Sequence, residues 1–347
     1  MGVIITIVAS ILVFGIIIFV HELGHFIAAK KSGIKVNEFA IGMGPKLFSK
    51  KKGDTTYSLR AFPIGGFVAM EGEDEDSDSP GAFNNAAVWK RIIVVAAGAI
   101  MNLLLGYIVI LILTIAPTES NLLGSRTIAA FAENAASHAS GLEVNDSIVA
   151  INGRKVYLIT DIQYELIKLK DGRADMTVIR DGERVELKNI QFDMTEYENG
   201  MRGIVFDMQF YGVQKTFGNV ITYSFRWTCS IARQIFLSVV DLITGNIAVN
   251  QLSGPVGIIS VISDAAKVGF LSVLTLLAFI SINLGIFNIL PLPALDGGRL
   301  VFLVFEAITK KKLNSKYEAL VNGIGFALLI LLMVFVTYND ISSLVTR

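Results

Sequence analysis

The chain has 347 residues, 53% of them hydrophobic and only 17% charged, with 30 basic and 30 acidic side chains that balance to a formal charge of zero. A mean hydropathy of +0.59 and a charged share well under the usual quarter point to an integral membrane protein, and the neutral balance gives a nucleic-acid partner no footing. The single cysteine, Cys229, excludes an intrachain disulfide and any cysteine-built zinc site, and is expected to be a small buried hydrophobe.

Residues 2–20 form an apolar run long enough to cross a bilayer, followed at once by His21, Glu22, Leu23, Gly24 and His25. No Lys or Arg precedes the run and no small-residue cleavage pattern follows it, so a permanent anchor is expected rather than a signal peptide. Positions four apart share a helix face. Both imidazoles of an H-E-x-x-H can therefore hold one Zn²⁺, while the carboxylate reaches the water that the metal acidifies to a pKa of about 7. The chain has three histidines, two of them here, and ionisable groups inside a membrane helix are costly and mark function.

Residues 37–70 pattern as extended chain about a polar turn at Lys52, Gly53 and Asp54, with an apolar, glycine-rich stretch at 62–68. Two forms fit: a small cytoplasmic hairpin, or a hairpin that dips into the bilayer and offers its edge to an extended peptide. The acidic stretch 71–78 is expected to be a solvated linker. Span two, expected at 91–117, contains Gly98, Ala99, Ile100, Met101 and Asn102. Asn102 is either an active-site polar group or a helix–helix hydrogen-bonding residue.

Residues 119–211 pattern as a small α+β domain: a turn and strand at 140–153, a helix at 160–169 and a hairpin about Asp181 and Gly182. The arrangement resembles a PDZ domain whose GLxxGDxIxxING signature carries Asn145 in place of Gly, a change that a left-handed turn tolerates. His138 is expected to be an ordinary surface residue. In 212–265 the apolar pattern is interrupted by Arg226, Arg233 and Asp241, each costing about 2.5–3.5 kcal/mol at a bilayer centre, so a helix lying in the interface is expected. No chemistry is assigned to Ser253, Gly254, Pro255, Val256 and Gly257.

Span three is expected at 268–295 and span four at 318–338. Lysines at 30, 31, 35, 46 and 50–52, then Lys90 and Arg91, and finally 310–312 place the intervening loops inside, with both ends and 119–267 outside. HELGH and Asp296 then close two spans on the same, cytoplasmic side. Pro291 and Pro293 break the third span, and Gly297 with Gly298 frees the backbone beyond Asp296, which is either a terminus cap or a carboxylate offered to a metal.

HELGH in a first span with Asn288, Pro291, Pro293, Leu295, Asp296, Gly297 and Gly298 as NxxPxPxLDGG in a later one resembles the site-2 protease family, in its RseP-type branch with one PDZ domain. The resemblance covers essentially the whole chain. It implies a polytopic α-helical membrane protein of four transmembrane helices, with a membrane-associated β-hairpin and an inserted extracytoplasmic α+β PDZ domain. The implied parts are a first membrane part at 1–118 (spans 2–29 and 91–117, hairpin 37–70), the PDZ-like domain at 119–211, an interfacial helix and connection at 212–265, and a second membrane part at 266–347. His21, His25 and Asp296 would bind one Zn²⁺ and Glu22 would be the general base. Asn288 and Pro291 would hold substrate, and so would Asn102, which sits where the family often shows GPxxN.

The resemblance also implies a multi-pass protein of the bacterial cell membrane. Its substrate would be a single-span membrane protein, such as an anti-sigma factor or a remnant signal peptide. A site-1-type protease would first trim that substrate outside, and the cut would fall within the bilayer near the cytoplasmic side. Two other readings are a membrane zinc carrier, which calls for more than one ligand set along the spans, and a catalytically silent PDZ scaffold, which calls for a lost ligand or base.

Overall fold

The computed structural model describes residues 2–73, 77–117, 121–196, 202–245, 252–311 and 315–345. The expected domain start at 119, the centre of the acidic run and Lys312 lie outside these residues. The chain opens with α1 (Gly2–Ser32), β1 (Val36–Lys52), β2 (Thr55–Met70) and α2 (Val88–Ile115). It continues with β3 (Leu122–Phe131), α3 (Ala136–Ala139), β4 (Ser147–Ile151), β5 (Arg154–Lys155), α4 (Ile159–Ile167), β6 (Arg173–Arg180), β7 (Glu183–Gln191), β8 (Met194–Glu196), β9 (Arg202–Ile204) and β10 (Met208–Gln214). Five helices end it: α5 (Phe217–Ile243), α6 (Pro255–Val268), α7 (Phe270–Phe287), α8 (Asp296–Thr309) and α9 (Ser315–Val345). Contacts divide the chain into two units, 1–113 with 231–347, and 114–230.

In the first unit, α1, α2, α7 and α9 are long and apolar enough to cross a membrane, which gives the four spans expected of a polytopic membrane protein. The third is shorter than its sequence suggested. α7 stops at Phe287, and residues 288–295 form a non-helical turn before α8. Proline has no N–H to donate and clashes with the preceding turn, so Pro291 and Pro293 bar the helix from continuing. Asp296 therefore opens α8 instead of closing α7.

Small residues bring the spans close. A Cβ on Gly24 of α1 would stand 2.5 Å from Ala97 O of α2, and one on Gly285 of α7 would stand 3.0 Å from Ala99 O. Such backbone approach is how membrane helices pack where lipid supplies no hydrophobic drive. Between α1 and α9 lies α6, a helix not foreseen from sequence. The Asp340 carboxylate of α9 accepts the backbone N–H of Gly254 at 3.2 Å and of Gly257 at 2.8 Å, capping the α6 N-terminus. That gives the Ser253–Gly257 segment a structural role.

β1 and β2 pair antiparallel, and each is bent double. Residues 38–41 pair with 66–69 on one side and with 56–59 on the other, while 46–52 pair with 55–60, so the element is wider than a plain hairpin. Gly42 and Gly44, at φ +84° and +85°, make the corner in β1 that residues with a Cβ rarely allow. Its root is buried at Val36, Phe39, Val68 and Met70 in a core shared with Ala29, Val94 and Leu303.

The acidic stretch is not simply solvated. Glu73 Oε1 accepts Arg299 Nη1 at 2.5 Å and its backbone carbonyl accepts Nη2 at 2.9 Å, while Glu71 accepts from Asn37 at 3.0 Å and Ser77 at 2.8 Å. A second ion pair, Arg91 to Glu306 at 3.0 and 2.6 Å, joins the start of α2 to α8 in a mostly buried setting.

In the second unit the strands order β10-β3-β4-β6-β7, with β5 on β4, around a core that includes Ile128, Leu142, Ile148, Ile162, Met176 and Phe192. Asn145 takes φ +75° and Asp181 and Gly182 take φ +51° and +86°, the left-handed geometry of tight turns. His138 is exposed yet held, its Nδ1 2.7 Å from Leu142 O and its ring stacked on Phe131. Cys229 is exposed, against the expectation of burial, because it lies on the outer face of α5 beside the exposed Phe225.

Candidate metal centre

One turn of α1 separates His21 from His25, and their Nε2 atoms stand 3.1 Å apart. Asp296 Oδ2 lies 3.2 Å from His21 Nε2 and 3.3 Å from His25 Nε2. That oxygen is buried and, among the described residues, makes no hydrogen bond of acceptable geometry. Ligand atoms about 2.0–2.2 Å from one tetrahedral zinc stand roughly 3.3 Å from each other. The three atoms are thus spaced as neighbouring corners of one coordination shell, and two imidazoles with one carboxylate are a donor set that zinc accepts. Among the described residues they are the one group of His, Cys, Asp and Glu side chains converging in this way.

Each imidazole is aimed by its other nitrogen. His25 Nδ1 sits 2.8 Å from Val94 O, so it carries the proton and donates it, leaving Nε2 free for a metal. His21 Nδ1 lies 3.2 Å from Asn102 Nδ2, and the buried Oδ1 of that amide finds no partner among the described residues. Turning the amide over pairs Oδ1 with an Nδ1–H and frees His21 Nε2 in the same way. Asn102 is fully buried, and its backbone carbonyl accepts the Ser281 hydroxyl at 2.7 Å, which ties α2 to α7 beneath the site. Asn102 therefore touches the candidate ligand His21 and also joins α2 to α7.

Gly98 provides space that sequence reasoning did not assign. A Cβ there would stand 2.3 Å from His25 Nε2 and 2.7 Å from His21 Cε1. The signal was a glycine four positions before Asn102, on the same helix face.

The turn carrying Asp296 is fixed by packing. A Cβ on Gly297 would stand 1.8 Å from Leu290 O, and one on Gly298 would stand 2.6 Å from Leu292 O. These glycines permit close approach in the first turn of α8, which corrects the expectation that they loosen the backbone. Ala294 adopts φ +69°, a left-handed conformation costing an alanine about 1–2 kcal/mol, and its N–H is held at 3.2 Å by Asn322 Oδ1 of α9. Of the other two candidates, Asn288 is buried at the C-cap of α7 and Pro291 is exposed in the turn.

Glu22 lies beside the hairpin, where a Cβ on Gly66 would come within 3.1 Å of its Cγ. It also lines an apolar cavity of about 340 Å³ between α1 and the β1–β2 element.

Four spans and a metal-type donor set with the Glu22 carboxylate beside it define the class, a membrane-embedded metalloprotease. Comparison with known proteins agrees. Residues 9–332 match peptidase family M50. The Regulator of sigma-W protease RasP of Bacillus subtilis is 32% identical, over 98% of this chain and 99% of that protein. The zinc metalloprotease RasP of Bacillus licheniformis is 34% identical over 98% and 99%. A Clostridium perfringens protein with the provisional name of zinc metalloprotease is 39% identical over 96% and 98%. The chain belongs to peptidase family M50, as a zinc metalloprotease of the site-2 type.

Proposed function

We propose that this protease cuts the transmembrane segment of single-span membrane proteins, with His21, His25 and Asp296 holding the zinc and Glu22 acting as general base. The observation that carries the reading is the convergence of the three donor atoms, two from the first span and one from the start of α8, with Glu22 opening onto an apolar cavity. Zinc supplies Lewis acidity towards water and the scissile carbonyl. The chain's own groups do the rest. Glu22 takes the proton of the attacking water and returns it to the leaving amine. Val94 O and Asn102 keep both imidazoles in the ligating tautomer.

A substrate helix uses its own carbonyls internally, so it must unwind before the bond is exposed. The edge of β2 at Gly65 and Gly66 offers the strand pairing that the unwound segment loses. Exposed Met43, Phe48, Leu59 and Phe62 support a sheet that enters the lipid. The inserted unit acts as a PDZ-type domain outside the cell membrane, and the cut falls towards the cytoplasmic side. Substrates are anti-sigma factors or signal-peptide remnants, trimmed first by a site-1-type protease.

The test is cleavage of a pre-trimmed single-span substrate in membranes by the wild type and by Glu22→Gln, with bound zinc measured in both. Zinc retained with cleavage abolished is the expected result. Equal cleavage by the two would sink the mechanism.

A further inference from the structure

The cavity between α1 and the β1–β2 sheet has a shape that general peptide binding does not require. It follows one face of α1 from Ile11 to Glu22, a stretch of roughly 16 Å at the rise of an α-helix. Its walls are Ile11, Leu12 and Ile16 on the helix and Ile41 and Leu59 on the sheet. An apolar cavity of about 150 Å³ holds a benzene molecule, so the 340 Å³ here accommodates an aromatic side chain with room over. Among the described residues one charged group other than Glu22 lines it, Arg60, and that guanidinium is turned to Glu38 and to Gly44 O, each at 2.8 Å.

Gly15 lies midway along the helical wall. A glycine inside a helix costs about 1 kcal/mol relative to alanine, and glycines in this bundle such as Gly24 and Gly98 are explained by atoms that leave no room for a Cβ. Gly15 has no such neighbour: among the described residues, nothing lies within 4 Å of where its Cβ would stand. What this glycine provides is depth in the cavity it lines.

We infer that the cavity is the pocket for one bulky apolar substrate side chain beside the scissile bond, and that Gly15 sets its depth. This rests on the endopeptidase reading above. The proton-transferring carboxylate lines the pocket, so the peptide that fills it has its reacting bond close by, and the apolar walls select Phe, Leu or Met over Ala or Gly. An apolar pocket of this kind discriminates by roughly 10- to 200-fold per group it buries.

The experiment is a panel of pre-trimmed single-span substrates carrying Gly, Ala, Leu or Phe on each side of the mapped cut, incubated in membranes with wild type, Gly15→Leu and Gly15→Phe. The wild type should favour Phe and Leu over Ala. The Gly15 variants should lower the Phe-to-Ala rate ratio by about tenfold or more while their bound zinc matches wild type. Ile41→Ala, which enlarges the pocket from the sheet side, should raise the ratio and gives a second readout should Gly15→Phe fail to accumulate. Ratios within twofold of wild type in Gly15→Leu and Ile41→Ala would overturn the pocket and leave a groove filled by lipid tails. Failure of the endopeptidase reading looks different: the wild type would cut no member of the panel, or Glu22→Gln would cut as well as the wild type, and the pocket would fall with it.

Discussion

Arg299 grips Glu73 through its side chain at 2.5 Å and through its backbone carbonyl at 2.9 Å, although 226 residues separate them. Arg299 lies one helical turn past Asp296, so the contact fixes the start of α8 against the chain leaving β2, and a further approach of 3.5 Å to Glu318 brings in the start of α9. Arg299→Ala should leave Asp296 in place chemically but loosen the helix that aims it. We expect zinc affinity to fall about tenfold, the low end for groups acting from outside the ligand shell. Competition with a chelator reads this directly. Arg299→Lys should recover only part, because an ammonium cannot hold both oxygens in the fork geometry. Unchanged zinc retention in Arg299→Ala would refute the role.

That contact also shows where sequence reading stops. HELGH, the apolar runs and the proline-broken end of span three were legible because each is a local pattern, set by helical periodicity, hydropathy or the missing N–H of proline. Glu73 read as one acid in an acidic run, since its partner is distant in sequence. α6 is only 14 residues long and begins at a proline, so its apolar residues merged with the approach to span three. The tightness around Gly297 and Gly298 depends on the fold of the 290–293 turn, and glycine alone does not say whether it is there for freedom or for close approach.

Gly98 is a case of close approach with a chemical consequence. A methyl group at this position would stand 2.3 Å from His25 Nε2, a distance that requires the imidazole to move. Gly98→Ala should therefore accumulate in the membrane at near-normal levels but lose zinc and proteolytic activity by about 100-fold, the size of effect seen when ligand orientation is disturbed. Metal analysis of the purified variant, beside the amount inserted in membranes, checks it. Full zinc occupancy in Gly98→Ala would show that the rings have more freedom than this packing allows.

Asn102 can be separated from a simple helix–helix role by changing its chemistry at constant shape. Asn102→Leu removes the partner of His21 Nδ1 and should weaken zinc retention by about 10- to 100-fold. Asn102→Asp keeps an oxygen that accepts the Nδ1–H, and it should hold zinc far better than the leucine variant. If the side chain served only to join α2 to α7, both variants would lower thermal stability in detergent with no difference between them in metal binding.

Asp340 is 7% exposed, and its two carboxylate oxygens take the N–H groups of Gly254 and Gly257 at 3.2 and 2.8 Å. The first turn of a helix leaves its N–H groups without internal partners and carries a partial positive charge, so a buried carboxylate there satisfies both needs. A Cβ on Gly254 would stand 2.8 Å from Asp340 Oδ2, which is why this approach is reserved for glycine. Hydrogen bonds to a charged group contribute about 1.5–3 kcal/mol each, so Asp340→Ala, which removes two of them, should lower unfolding stability in detergent by about 3–6 kcal/mol. Asp340→Asn retains one accepting oxygen but places an NH₂ where the second N–H points, and it should recover less than half of the loss. Because α6 packs on α1, the helix bearing His21 and His25, proteolytic activity should decline at lower temperatures in Asp340→Ala than in the wild type, with zinc content normal before heating. Identical melting curves for Asp340→Ala and the wild type would show that α6 is held by its apolar face alone.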